Sequence, residues 1–120
     1  MTDVEQKTNP VLKETVKKCE EAGRRNDADV WRRVAEELKK ANRDMTEVTV
    51  SHIERNSEGG DTVVVPGKVV GSGSIGEDVT VAAFNFTGNA LKSIESSGDA
   101  IYIDEAVEDN PSGEEVVLLG

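Results

Sequence analysis

The sequence predicts an α/β protein, with a helical hairpin over residues 9–43 followed by a mixed β/α core over 47–120. Three observations carry this. Apolar residues recur at helical spacing as far as Ala41, the period shortens towards two from Glu47, and turns containing Gly or Pro then divide the rest into short Val-rich runs. A chain of 120 residues has the length of one domain, so residues 1–120 are expected to share a single core.

The elements follow in order. Residues 1–8 (MTDVEQKT) have no periodicity and read as a flexible arm. Asn9-Pro10 is a strong helix start, with Asn as N-cap and Pro at the first helical position. Leu12, Val16, Cys19 and Ala22 then share one face, and Gly23 is the expected stop. A short Gly-Arg-Arg-Asn connection leads to a second helix, capped by Asn26 or Asp27 and carrying a Val30/Trp31, Val34, Leu38, Ala41 stripe. So short a loop implies an antiparallel pair. Glu47–Arg55 alternates as a strand would, with Val48 and Val50 opposite Thr49, Ser51 and Ile53. A turn at Glu58-Gly59-Gly60-Asp61 precedes two strand-like runs, Thr62–Val65 and Lys68–Val70, interrupted by Pro66-Gly67. A Gly/Ser loop spans 71–76, and Val79–Phe86 has the apolar continuity of a buried strand. Ala90–Ser96 is expected as a short helix ending near Gly98, Ala100–Ile103 as a strand, Asp104–Asp109 as a short acidic helix and Val116–Leu119 as a terminal strand.

Composition excludes several classes of function. No apolar run reaches the roughly 18 residues a membrane span needs, and the charged first 20 residues offer no signal-peptide core. One cysteine and one histidine leave no disulfide framework and no thiolate or imidazole-rich metal site, so a reducing cytoplasmic setting is expected. Cys19 reads as a small buried hydrophobe and His52 as an ordinary strand residue. Gly71-Ser72-Gly73-Ser74-Ile75-Gly76 matches G-x-G-x-x-G, but Glu77-Asp78 and a strand follow where a helix N-terminus should hold the pyrophosphate. Neither Ser72 nor Ser74 sits in G-x-S-x-G. The acids at 104, 105, 108, 109, 114 and 115 lack the spacing of a Ca²⁺ loop and read as a solvated face. The expectation is therefore no enzyme, catalytic residue, metal, cofactor or small-molecule substrate.

Charge is distributed unevenly. The net charge is −10, yet residues 1–55 are neutral overall and contain all the basic side chains except Lys68 and Lys92. Lys13, Lys17, Arg24 and Arg25 lie off the apolar face of the first helix or in the connection; Arg32, Arg33, Lys39, Lys40 and Arg43 lie off that of the second. Glu36 and Glu37 interleave with them, so surface ion pairs compete with a polyanion contact for each residue. The paired Arg and Lys residues nevertheless mark this half as the candidate phosphate-binding surface.

Three stretches resemble a known family: Lys7-Thr8-Asn9-Pro10, Asp61-Thr-Val-Val-Val-Pro-Gly-Lys-Val-Val-Gly-Ser-Gly73 and Asp78-Val-Thr-Val-Ala-Ala-Phe-Asn-Phe-Thr-Gly88. They look like the ribosomal L-fifteen/L-eighteen-e family, in its archaeal L-eighteen-e form. Trp31, the Val48–Arg55 segment and the Glu108-Asp109-Asn110-Pro111 turn fit as well. The likeness covers residues 7–118 and is most specific over 61–88. It implies a cytoplasmic, non-enzymatic protein packed on large-subunit ribosomal RNA beside other ribosomal proteins, with a compact α/β fold of irregular β-β-α layers behind the hairpin. Carried over residue by residue, it implies RNA contacts from Lys7, Thr8, Asn9, the basic pairs, Arg55, Lys68 and the Ser72-Gly73-Ser74 turn. Glycines there would let backbone N–H groups approach phosphate. The sequence departs from the family at its end, where Glu114–Gly120 carries no basic residue. The acidity suggests a halophilic setting, because in molar salt the Debye length falls to about 3 Å and long-range repulsion from RNA is screened. A second reading, from another class, is a small acidic adaptor whose −10 half binds a basic protein.

Overall fold

The computed structural model describes residues 12–40, 47–57, 59–60, 62–75 and 78–119. Helices α1 (Leu12–Asn26) and α2 (Asp29–Lys40) form the expected hairpin. The chain then alternates β1 (Glu47–Thr49), α3 (Val50–Arg55), β2 (Thr62–Val70), β3 (Thr80–Phe86), α4 (Gly88–Glu95), β4 (Asp99–Tyr102), α5 (Ile103–Asp109) and β5 (Val116–Leu118). All strand pairings are parallel, in the order β1-β2-β3-β4, with β5 also on β2. Parallel sheets need both faces covered. Here Val63, Val65, Val81 and Ala83 pack with α3 and α4 on one face, while Val64 and Ala82 meet α1, α2 and α5 on the other. The result is helix–sheet–helix, an α/β fold with the hairpin alone supplying most of one outer layer.

Four local details differ from the expectation, each for a physical reason. Gly23 does not end α1, which continues to Asn26, so Arg24 and Arg25 are helical. The turn is instead made at Asp27, whose φ is +51°, and the Ala28 N–H donates back to the Gly23 carbonyl at 3.0 Å. Gly23 serves close approach: a Cβ there would lie 2.6 Å from Arg32 Cγ. Nor is Glu47–Arg55 one strand. Thr49 caps a helix, its hydroxyl accepting the His52 N–H at 3.1 Å, and Val50 and Ile53 are buried together at helical spacing. His52 is an exposed residue of that helix.

Pro66-Gly67, expected to interrupt a strand, lies inside β2. Between Val65 and Lys68 the β2 chain advances three residues while β3 advances two, from Ala83 to Asn85. On the opposite edge, β5 pairs with residues 62–64 and β1 with 68–70. The proline therefore falls where neither neighbour needs its missing N–H, which reconciles it with a central strand. Finally, α4 begins two residues early, at Gly88, because Thr87 caps it through the Ala90 N–H. The expected Asn9-Pro10 start and Ala41 lie outside the described residues, as does part of the turn at 58–61.

Candidate nucleic-acid interface

The hairpin positions most of the basic side chains. On α1, Lys13, Lys17 and Arg24 follow at offsets of four and seven, one exposed stripe interrupted by Glu20. Glu20 reaches across to α2 and pairs with Lys39. Arg32, seven residues before Lys39, packs its Cγ over Gly23. The α1 stripe and the Arg32/Lys39 stripe thus adjoin, with Arg33 and Lys40 exposed along the neighbouring crest of α2. Tight helix–helix approach at Gly23 is what brings the two rows together.

These cations are not equivalent. Arg32 bonds to Asp29 at 2.7 Å and to Asp27 at 3.1 Å, and those contacts, Asp27 first, raise its pKa. Lys40 pairs with Glu37 at 3.4 Å. Lys13, Lys17, Arg24 and Arg33 are exposed and, among the described residues, pair with no carboxylate. Arg25 is exposed too, but it turns to the other flank of α1, bordering a cleft with Val107, Glu108 and Pro111. Lys18, which the sequence reading passed over, closes that flank. Its ammonium lies 2.7 Å from Glu108 and 3.6 Å from Asp104, and the hydrogen bond to Glu108 raises its pKa despite partial desolvation. Beside it the buried Thr15 donates to Asp104 at 2.5 Å. The acids at 104 and 108 therefore hold α1 on α5 rather than forming only a solvated face. Their pairing with Lys18 has a sequence separation of about 90 residues, which no local pattern signals.

The Ser72-Gly73-Ser74 loop and Arg55 lie on the α3/α4 side of the sheet. Gly71 (φ +75°) turns the chain out of β2, Ser51 Oγ donates to the Ser72 carbonyl at 3.4 Å, and the Gly73 N–H donates to Ser93 Oγ at 3.3 Å. A Cβ on Gly73 would meet Ser51 Oγ at 3.2 Å. Ser72, Gly73 and Ser74 are exposed. No helix follows this loop: Asp78 (φ +64°) leads directly into β3, so the phosphate-binding arrangement of a dinucleotide fold is not built. Arg55 is exposed on α3, its Nε donating to the Ser51 carbonyl at 3.4 Å. Lys68, half-buried in β2, stands between Glu47 and Asn85 of the adjoining strands. The candidate residues thus fall on a hairpin face and a loop face in different layers, and Lys68, which alternates with Val69 of the α3/α4 core, points to the hairpin side of the sheet. Lys7, Thr8, Asn9 and Arg43 lie outside the described residues. No helix among the described residues is long and apolar enough to cross a membrane.

No family model matches the sequence. Individual relatives do. The chain is 44% identical over 113 residues to "Large ribosomal subunit protein eL18" of Haloarcula marismortui, covering 94% of this chain and 97% of the relative. It is 42% identical over 114 residues to the protein of that name from Halobacterium salinarum, with the same coverage. With that of Methanoregula boonei the identity is 38% over 120 residues, 99% of each chain. Identity of this order along essentially the whole length leaves one assignment: the chain belongs to the archaeal eL18 family of large-subunit ribosomal proteins.

Proposed function

We propose that the chain is a structural constituent of the large ribosomal subunit, binding and stabilising its RNA in a salt-rich archaeal cytoplasm and taking part in translation without enzymatic activity. The observation that carries this, beside the family, is the set of exposed cations Lys13, Lys17, Arg24 and Arg33 on the α1–α2 hairpin, which pair with no carboxylate among the described residues of a chain whose net charge is −10. Such cations suit phosphate contacts, whereas Asp27, Asp29, Glu20 and Glu37 already meet the charge of Arg32, Lys39 and Lys40 beside them. Lys39, Lys40 and Arg32 belong to the same contact, Arg25 to its α5 flank, and Lys7, Thr8, Asn9 and Arg43, outside the described residues, are assigned to it as well. The loop at Ser72, Gly73 and Ser74, with Arg55, is a second contact, and Lys68 is assigned to the hairpin side. Backbone N–H groups near glycine approach a phosphate without a Cβ in the way. Residues 1–120 act as one unit, and the acidic half faces solvent or neighbouring ribosomal proteins.

Sedimentation of a cell lysate through a sucrose gradient in roughly 3 M salt tests the reading, screening matched to the proposed setting. Co-migration with the large subunit, abolished by ribonuclease, is the expected result. A chain found only at the top of the gradient would overturn it and leave the acidic adaptor as the better account.

A further inference from the structure

A groove of about 630 Å³ opens between the first two turns of α1 and the last turn of α2. Its floor is apolar, made by Leu12 and Val16 over the fully buried Leu38, and its rim carries Lys13, Lys17, Lys39 and one acid, Glu20. The size falls in the roughly 300–1,000 Å³ range of clefts that hold small organic groups. Lys39 is tied to Glu20, whereas Lys13 and Lys17 have no carboxylate partner among the described residues. An apolar floor beneath free cations matches the two halves of a nucleotide, a flat ring with little charge and a phosphate on either side.

We propose that this groove receives one unstacked nucleobase of ribosomal RNA, with its flanking phosphates on Lys13 and Lys17. The inference rests on the RNA-binding reading above and gives it a point of sequence-dependent contact. Bases inside an A-form duplex do not present their faces, so the occupant is a nucleotide splayed from a loop or bulge. An acidic peptide would fit the rim less well. The cationic stripe continues past the groove to Arg24, roughly 16 Å along the helix at 1.5 Å per residue, and a nucleic-acid backbone is charged at every unit along that length.

Full-length chains carrying Val16→p-benzoylphenylalanine, or the same photoprobe at the exposed Lys17, are assembled with large-subunit RNA and irradiated. The expected product is a cross-link to a single unpaired nucleotide. Base-specific chemical probing should find that nucleotide shielded about fivefold or more by the wild-type chain and exposed again with Val16→Trp, which fills the groove, while the chain stays RNA-bound. Leu12→Trp repeats the test should Val16→Trp fail to fold. A bound chain that shields no nucleotide in a Val16-dependent way, or that cross-links only to its own residues or to a protein, overturns the groove assignment and leaves the RNA-binding reading standing. A wild-type chain that binds no RNA overturns both.

Discussion

Free charge and paired charge on the hairpin should separate cleanly in binding. Lys13→Ala/Lys17→Ala/Arg24→Ala removes three cations with no carboxylate partner among the described residues. Arg32→Ala/Lys39→Ala/Lys40→Ala removes three whose charge is already met by Asp27, Asp29, Glu20 and Glu37. The two variants have the same change in net charge, so long-range field effects cancel in the comparison. Each lost phosphate contact lowers the slope of log K against log salt by about 0.7 for single-stranded RNA, so the first variant should lose about two units of slope. Extrapolated from a molar reference, that is about a hundredfold weaker binding near 0.1 M salt, and little change in molar salt. The second variant should lose clearly less slope, because cations already matched by carboxylates make no phosphate contact whose counterions binding would release. Filter binding of a large-subunit RNA fragment across a salt series reads both numbers. Equal losses for the two variants, or a larger loss for the second, would refute the idea that unpaired cations mark the contact.

Other consequences are reachable with the isolated chain. Gly98→Ala would put a Cβ 2.2 Å from the Val79 carbonyl and 3.0 Å from Ile75 Cδ1; a cost of about 3 kcal/mol and a Tm drop of about 10 °C are expected by thermal melting. Gly88→Ala, with nothing within 4 Å of the new methyl, should leave Tm unchanged or raise it. Burial, helped by the nearby Asp104 and Glu20 charges, pushes the Cys19 thiol from 9.0 up to about 12. The folded state thus keeps the neutral thiol, and this contribution is complete below pH 9 and lost as pH rises towards 12. Cys19→Ala should therefore flatten the alkaline decline of stability in that window, and wild-type Cys19 should resist a thiol reagent at pH 8 until the protein unfolds. With a net charge of −10, the free chain should also gain Tm as salt rises; an unchanged Tm at low salt would count against the high-salt setting.

The elements that were legible in the sequence are those whose partners lie within a turn or a strand. The α1–α2 hairpin, β3, α4 and α5 each announce themselves by apolar spacing and a flanking turn. Residues 47–55 misled for the same reason. Val48 and Val50 fit a two-residue period and Val50 and Ile53 a helical one, and only the Thr49 cap and the burial of Val50 with Ile53 decide for α3. Gly23 looked like a stop because glycine commonly ends helices, whereas Asp27 took the left-handed position and Gly23 the helix contact.

What the sequence determined by itself is the class of fold, the family and the concentration of cations in the first 55 residues. Periodicity, motif order and charge counts are one-dimensional quantities that survive without coordinates. Packing in three dimensions sets which of the described cations a carboxylate meets. Asp27 with Arg32 and Glu20 with Lys39 withdraw two of them, and Lys18 is drawn to Asp104 and Glu108 about 90 residues away. It also parted the Gly-Ser loop from the hairpin, because alternate residues of a parallel sheet point to opposite faces and α3/α4 cover the face that α1/α2 do not.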